Sequence, residues 1–499
     1  MLTKKIILNP DYGLVNDETR IIITYTGSDI TKSFLQFIHP VHAQLFTFFT
    51  GEKTLAENLI GIEKYFGINK ENAIKLIQPL INNEKDRYIS FAGSNFCLPK
   101  NLLLSDTGLI RKDLSIEDVK IEGELDFETL RLNKPLNILF VINTKCYTNC
   151  TYCYADRCTR YNTLSTKRIV ELIREMKNIG VRQLDISGGE FFLQQDWDII
   201  AKTIVECGFS PDISTKCPIS REDIDRFMET GLNTLQISLD SLDNEVLKRT
   251  IGIPDQYIDN LLDSIRYMDK KGMEVIIKPT LCKETCTVEN VSKIIDFVDT
   301  LKNVKRCIVS IIGHSHFKPL NHFHKIKPDM QKIREVEAYI NNRKSFTSYN
   351  LMFDSLPFLK SELCSFARFK NRSVCSANVH GFVILPDGQA TICEELYWNP
   401  DFVIGDLKKK SIMEVWKSST AFNLWRLNKK AIPQISECAH CNDFDNCRMK
   451  RGVCWKFVIA AYGKENRFHP DPCCPKAPMP TNEFFYNDCL GNIQDKITL

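Results

Sequence analysis

The stretch Cys146-Tyr-Thr-Asn-Cys150-Thr-Tyr-Cys153 constrains this chain more than any other. Its three cysteines are separated by three and then two residues and follow the apolar run Leu136–Ile142. Three thiolates on one short loop can close around a metal site and leave a coordination position free. A four-iron four-sulfur cluster takes four thiolates, so such a loop leaves one iron open to another ligand. The competing reading is a structural zinc knuckle, which demands four ligands in a closed site. Only Cys158 lies at short-range zinc spacing.

Twenty cysteines in 499 residues need a reason. The N-terminus, Met1-Leu-Thr-Lys-Lys-Ile-Ile-Leu, runs straight into Asn9-Pro10-Asp11, which is not an export signal. Many cysteines without one argue for metal ligation in a reducing compartment, so a cytoplasmic location is expected. A net charge of +3 and the lack of a long basic run give no case for nucleic acid. No apolar stretch approaches the roughly 18 residues of a spanning helix, so no membrane partner is expected.

Residues 1–100 read as a small α+β module. Arg20–Tyr25 is β-branched and strand-like. Pro40 opens a helix expected over Val41–Thr50, with Gly51 as its stop. Thr54 and Glu57 form a capping box for Leu55–Phe66, ended by Gly67. Asn69 caps a third helix that Pro79 must shorten, and Tyr88–Phe91 returns to strand. Residues 101–134 are charged and aperiodic and read as a linker.

From 135 to about 315, strand and helix patterns alternate, within a domain expected over 135–345. Apolar runs at Leu136–Ile142, Leu184–Ser187, Asp212–Ser214, Leu235–Leu239, Val275–Ile277 and Cys307–Ile312 give six strands. Helices are expected at Lys167–Ile179 (cap Ser165, stop Gly180), after Ser220, and at Ile258–Met268. Six such units predict a parallel α/β sheet with its chemistry at the carboxyl ends of the strands. Gly188-Gly189-Glu190 stands at the second strand end, Ser214-Thr215-Lys216 at the third, and Gln236, Ser238 and Asp240 on the fourth.

The cysteine loop with Gly188-Gly189-Glu190 resembles the signature of the radical S-adenosylmethionine (SAM) enzymes. That resemblance implies a partial (β/α)6 barrel and a [4Fe-4S] cluster on Cys146, Cys150 and Cys153. It implies SAM bound through its amino and carboxylate groups to the open iron, with Tyr152 beside the adenine. Gly188, Gly189 and Glu190 then meet the SAM amino group. Ser214, Lys216, Ser238 and Asp240 fit ribose and carboxylate contacts, and Arg249 is positioned like the family's arginine for the SAM carboxylate. The usual Glu-Pro-Leu continuation is here Glu190-Phe191-Phe192, which alters the adjoining wall.

Downstream, Cys375-x12-Gly388-x4-Cys393, then Cys438-x2-Cys441-x5-Cys447, Cys454 and Asp471-Pro472-Cys473-Cys474 resemble the SPASM domain over about 360–480. By that resemblance Cys375, Cys393 and Cys454 hold a first auxiliary cluster, while Cys438, Cys441, Cys447 and Cys474 hold a second. Cys447 and Cys454 are further apart than the family's usual spacing, either Cys473 or Cys474 supplies the last ligand, and Cys364 either completes the first site or leaves it open. A pair of zinc ribbons is the bland alternative. Residues 481–499 read as a tail without functional signal.

Residues 1–100, with His39-Pro40-Val41-His42-Ala43 and the capped helix after it, resemble the winged-helix leader-recognition element of enzymes that mature ribosomal peptides. The expected whole is a radical SAM peptide maturase with three [4Fe-4S] clusters, an external one-electron reductant such as flavodoxin or ferredoxin, and a precursor peptide whose leader binds residues 1–100. Thioether formation through deoxyadenosyl-radical hydrogen abstraction is its first expected reaction. Glu394 matches the proton-accepting acid of related sulfatase-maturing enzymes. Carbon–carbon or carbon–oxygen linkage, epimerisation using Cys282 or Cys286, and a zinc-stabilised peptide-binding scaffold stand as alternatives.

Overall fold

The computed structural model describes residues 1–27, 34–156, 162–354, 375–450, 453–472 and 474–481, side chains 449 and 450 apart. They form two compact units, Met1–Lys134 and Pro135–Leu499.

The first unit contains β1 (Lys5–Leu8), β2 (Tyr12–Asn16), β3 (Ile21–Tyr25), β4 (Leu35–Ile38), α1 (Pro40–Phe46), β5 (Thr50–Thr54), α2 (Leu55–Phe66), α3 (Lys70–Ile77), β6 (Arg87–Phe91), β7 (Ser94–Leu98) and β8 (Leu103–Ser105). Its strands form the sheets β5-β1-β8 and β2-β3-β4 and the hairpin β6-β7. The Thr54–Glu57 capping box closes in both directions, and Gly67 ends α2 in the left-handed region. Proline at position 79 does shorten α3, which gives way to a single 3-10 turn.

Two expectations fail here, for one reason. The helix expected over Val41–Thr50 stops at Phe46, because Thr50–Thr54 pairs with β1 instead. Residues 101–134 are not a free linker: Leu103–Ser105 pairs with the other edge of β1. The end of this stretch is held by a buried ion pair. Arg20 Nε donates to Asp17 Oδ2 at 2.9 Å, both side chains being about 1 % exposed. The remaining guanidinium donors reach the carbonyls of Asp126, Thr129 and Arg131, at 3.2 Å for Asp126 and 2.8 Å for Arg131. Asp17 Oδ1 in turn accepts from Asn133 N at 2.8 Å and Lys134 N at 3.1 Å.

The second unit opens with β9 (Asn137–Val141), α4 (Thr166–Ile179), β10 (Gln183–Ser187), α5 (Trp197–Glu206), β11 (Ile213–Thr215), α6 (Arg221–Glu229), β12 (Thr234–Ile237), α7 (Asn244–Ile251), α8 (Tyr257–Lys270) and β13 (Glu274–Ile277). It continues with β14 (Thr280–Leu281), α9 (Val288–Val298), β15 (Val304–Ile311), α10 (Leu320–Ile326), α11 (Met330–Arg343) and β16 (Asn350–Asp354). All six expected strands are present, and the sheet from β11 to β16 is a curled parallel half-barrel. Helices form where cap and stripe coincide. On α4, Ser165 accepts from Arg168 N and Gly180 closes the end, while Ile169, Leu172, Ile173 and Met176 are buried on one face. Each such side chain contributes about 1.5–3 kcal/mol by leaving water.

The first two expected strands, β9 and β10, lie in a second sheet, which does not stop at β9. Beyond it lie β17 (Gly381–Ile384), β18 (Gln389–Thr391) and β19 (Val403–Asp406), in the order β10-β9-β17-β18-β19. β17 runs parallel to β9 in the register Gly381↔Asn137 to Ile384↔Phe140. The cysteine-rich region thus grows from the barrel's own first strand.

Replacing Asp17 by Ala should destabilise the first unit by about 3–5 kcal/mol, since Arg20 would keep a buried charge without its counter-ion. Urea unfolding followed by circular dichroism checks this.

Candidate metal and cofactor site

β9 and β10 lie side by side, Val141 opposite Ser187, and deliver two loops to one place. Ile142 N donates to Ser187 O at 3.0 Å, Gly189 N to Asn143 O at 2.7 Å, and Glu190 N to Lys145 O at 2.6 Å. The buried Asn143 amide donates to Glu190 O at 3.1 Å. Gly188 has φ +128°, and a Cβ at either glycine would run into a carbonyl oxygen, Asn143's or Lys145's. The two glycines therefore serve the cysteine loop's own backbone before any ligand.

At the neighbouring strand ends a buried polar network assembles. The Glu190 carboxylate accepts from Thr215 Oγ1 and from Lys216 N at 3.0 Å. Burial pushes its pKa up despite those donors. Asp240 accepts from the Lys216 ammonium at 3.2 Å, Thr280 N at 2.8 Å and the Tyr152 hydroxyl. Burial alone would push Lys216 down, but the Asp240 carboxylate and the Cys150 thiol hold its ammonium above the usual lysine range. The Lys216 ammonium also sits 5.6 Å from the Tyr152 ring centre, and Tyr257 donates to Lys216 O at 2.7 Å. Burial raises the Cys150 thiol and nearby Lys216 pulls it back, so the cation that steadies Asp240 also faces the loop.

Tyr152, Gly188, Gly189, Glu190, Lys216 and Asp240 are thus brought together. Ser214 lies on β11, and Ser238 follows β12, its N–H donating to Thr215 O at 2.9 Å. Arg249 is drawn elsewhere: 57 % exposed, it pairs with Glu284 at 2.8 Å. The altered continuation of the glycine motif has a packing reason. Phe191, Phe192, Trp197 and Phe227 make an aromatic wall, with Phe192 5.0 Å from Trp197 and 5.6 Å from Phe227 between ring centres. Cys282 and Cys286 are buried in a tight turn, with Thr285 Oγ1 3.6 Å from Cys282 Sγ.

Downstream, the thiols fall into two groups. Burial pushes Cys393 and Cys454 up to about 12, and negative charge on Cys375 adds to both. Burial pushes Cys474 up to about 11, with Cys447 and Cys438 adding to it. Cys441 Sγ lies 3.5 Å from the Lys476 ammonium, and Cys438 Sγ 4.0 Å from the Arg448 guanidinium. All described cysteines are free thiols. Cys158, Cys364, Cys473 and Cys489 lie outside the described residues. Thiols that repel one another and attract cations suit a positively charged iron–sulfur core. Among the described residues no three Cys, His, Asp or Glu side chains gather closely enough to hold one metal ion. A four-iron cluster does not require that, because each thiolate takes its own iron.

One contact joins the two regions of chemistry. The Tyr154 hydroxyl, one residue beyond Cys153, donates to Glu394 Oε2 at 3.0 Å, one residue beyond Cys393. Burial raises the Glu394 carboxyl, and the Tyr154 bond only partly offsets it. Tyr154 is absent from the sequence reading; its place next to a cluster cysteine was the available signal.

A parallel half-barrel, a three-thiol loop at the end of β9, a glycine pair gripping that loop and two further thiol groups make an arrangement suited to iron–sulfur clusters. Residues 140–313 match the Radical SAM superfamily, and residues 375–442 match SPASM, an iron-sulfur cluster-binding domain. The chain carries both domains, which imply SAM and iron–sulfur clusters as its cofactors. Its fold is similar to that of SuiB from Streptococcus suis, at 15% identity and a TM-score of 0.63 over 94% of this chain and 99% of that one. SuiB bound to precursor peptide SuiA gives 14% identity and 0.61, and SuiB bound to S-adenosylmethionine 14% and 0.59, with the same coverage. No described helix is long and apolar enough to cross a membrane.

Gly189→Ala should displace the cysteine loop through its clash with Lys145 O, at a cost of about 1–3 kcal/mol. The expected result is a reconstituted protein lacking the iron of one cluster, measured by iron and sulfide analysis, with circular dichroism unchanged.

Proposed function

We propose that this chain is a radical SAM maturase that modifies a ribosomally made precursor peptide, with thioether formation as its reaction. The observation that carries the reading is a fold likeness extending over 94% of the chain, first unit included, to a protein whose structure was determined with its precursor peptide bound. In this reading residues 1–100 take the leader, residues 135–345 form the catalytic barrel, and 360–480 form the auxiliary-cluster domain. Three [4Fe-4S] clusters lie on the thiol groups given above, and flavodoxin or ferredoxin supplies electrons.

When bound, SAM on its cluster supplies hydrogen-atom abstraction and the auxiliary clusters supply an electron acceptor. The protein's part is orientation and proton handling. Asp240, held by Lys216, Tyr152 and Thr280, offers a fixed carboxylate at the barrel mouth. The Glu190 carboxylate is held by two donors from the end of β11 and so stays put beside the loop. Making one thioether breaks an S–H and a C–H bond and forms one S–C bond. The peptide loses one hydrogen atom, one proton and one electron. Glu394 is the acceptor for the proton, with Tyr154 holding its carboxylate toward the cysteine loop. A raised carboxyl pKa makes it the better base once ionised.

The anaerobically reconstituted chain, given dithionite, SAM and a cysteine-containing precursor peptide, should yield product lighter by two hydrogens per link. Each link should also remove one thiol from alkylation, as read by mass spectrometry. A two-hydrogen loss with every thiol still alkylatable would show carbon–carbon or carbon–oxygen linkage instead. Glu394→Gln should lower linkage by about 10²–10⁴-fold while deoxyadenosine release continues, separating proton acceptance from SAM cleavage.

A further inference from the structure

The cysteine loop makes no regular secondary structure, so each of its backbone groups needs a partner elsewhere. Asn149 N donates to Ile251 O at 2.7 Å and Thr151 N to Thr250 O at 2.9 Å, at the carboxyl end of α7. Three of its acceptors, Cys150 O, Thr151 O and Tyr154 O, meet the segment that follows β15. Lys318 Nζ donates to Cys150 O at 3.2 Å and also to Thr151 O. His322 Nε2 lies 2.8 Å from the same Thr151 oxygen, and buried Ser315 donates to Tyr154 O at 3.0 Å. Three side chains within eight residues thus hold the carbonyls of Cys150, Thr151 and Tyr154 in one loop, and one of the three is a lysine.

We propose that Lys318 and His322 are positioning residues for the SAM-binding cluster: His322 fixes the loop at Thr151, and Lys318 both fixes it at Cys150 and favours the reduced cluster by its charge. The proposal rests on the radical SAM reading of that loop. Reduction adds negative charge to a cluster, and cluster potentials respond to nearby charge and hydrogen bonding. An ammonium donating to the carbonyl of a ligand cysteine is a fixed positive charge beside that electron. Lysine suits the place because its three donors on one nitrogen can reach two neighbouring carbonyls at once. The Asp240 network is held by groups of other segments, Lys216, Tyr152 and Thr280.

The test uses the full chain, anaerobically reconstituted, with reductive titration of the cluster whose electron paramagnetic resonance changes on adding SAM. Lys318→Met should lower that cluster's midpoint potential and slow SAM cleavage by about 10–100-fold, with the KM for SAM nearly unchanged and iron content as in the parent. Lys318→Arg should restore most of the potential. His322→Leu should alter the cluster's spectrum without shifting its potential. If Lys318→Met loses iron, the Lys318→Arg and His322→Leu variants carry the test. An unshifted potential in Lys318→Met at parental iron content, or parental spectra and rates in His322→Leu, would overturn the proposal. A parent protein with no SAM-responsive signal would overturn the radical SAM reading, and this inference with it.

Discussion

The rest of the second unit depends on how closely two backbones approach at the ends of β9 and β10. Hydrogen bonds at 2.6–3.0 Å tie Ile142, Asn143 and Lys145 to Ser187, Gly189 and Glu190, with no side chain between them at positions 188 and 189. A loop that must present three thiolates has no helix or strand to stiffen it. Here stiffness is borrowed from a parallel strand pair by removing two Cβ atoms. Any larger residue would push the cysteines away from the strand ends at which parallel barrels place their chemistry.

From that contact the polar network follows in order. Glu190 is placed by the same backbone that grips Lys145, and its carboxylate is satisfied by Thr215 and Lys216 at the end of β11. Lys216 then reaches Asp240 at the end of β12, and Asp240 reaches β14 through Thr280 N. Four strand ends are thereby linked by buried polar groups, each of them partnered. A buried network of this kind is costly when half-satisfied and rigid when complete, which is what a cofactor cradle needs.

Much of this was legible locally. The caps at Thr54, Ser165 and Ser220, the stripe on α4 and all six barrel strands follow from short-range pattern, because they depend on neighbours within a turn or a strand. What was not legible depended on distant partners. Thr50–Thr54 became strand only because β1 was there to pair with it, and Leu103–Ser105 paired with the opposite edge of the same strand. The sequence around 101–134 shows no periodicity because Arg20 and Asp17, over a hundred residues earlier, anchor its end. Arg249 pairs with Glu284, 35 residues away in sequence, a partner that no local pattern announces. Tyr154 and Glu394 sit 240 residues apart, and nothing local marks them as a pair.

That last pair becomes intelligible through β17. A domain joined to the barrel only by a flexible connection would let the distance between its thiols and the cysteine loop vary. Here β17 is hydrogen-bonded in parallel register to β9, the strand that carries the loop, and β18 returns antiparallel to it with Thr391 two residues before Cys393. Cys153 and Cys393 are therefore carried by the loops that follow β9 and β18, with only β17 between those two strands in one sheet. The Tyr154–Glu394 bond then closes a ring whose other members are β-ladder hydrogen bonds. Geometry between the two centres is inherited from strand register, and both faces of β17 are buried, Phe382 and Ile384 in the barrel core and Val383 beside Val141 and Tyr397. The register of β17 on β9 is therefore also what places the acid beside the loop.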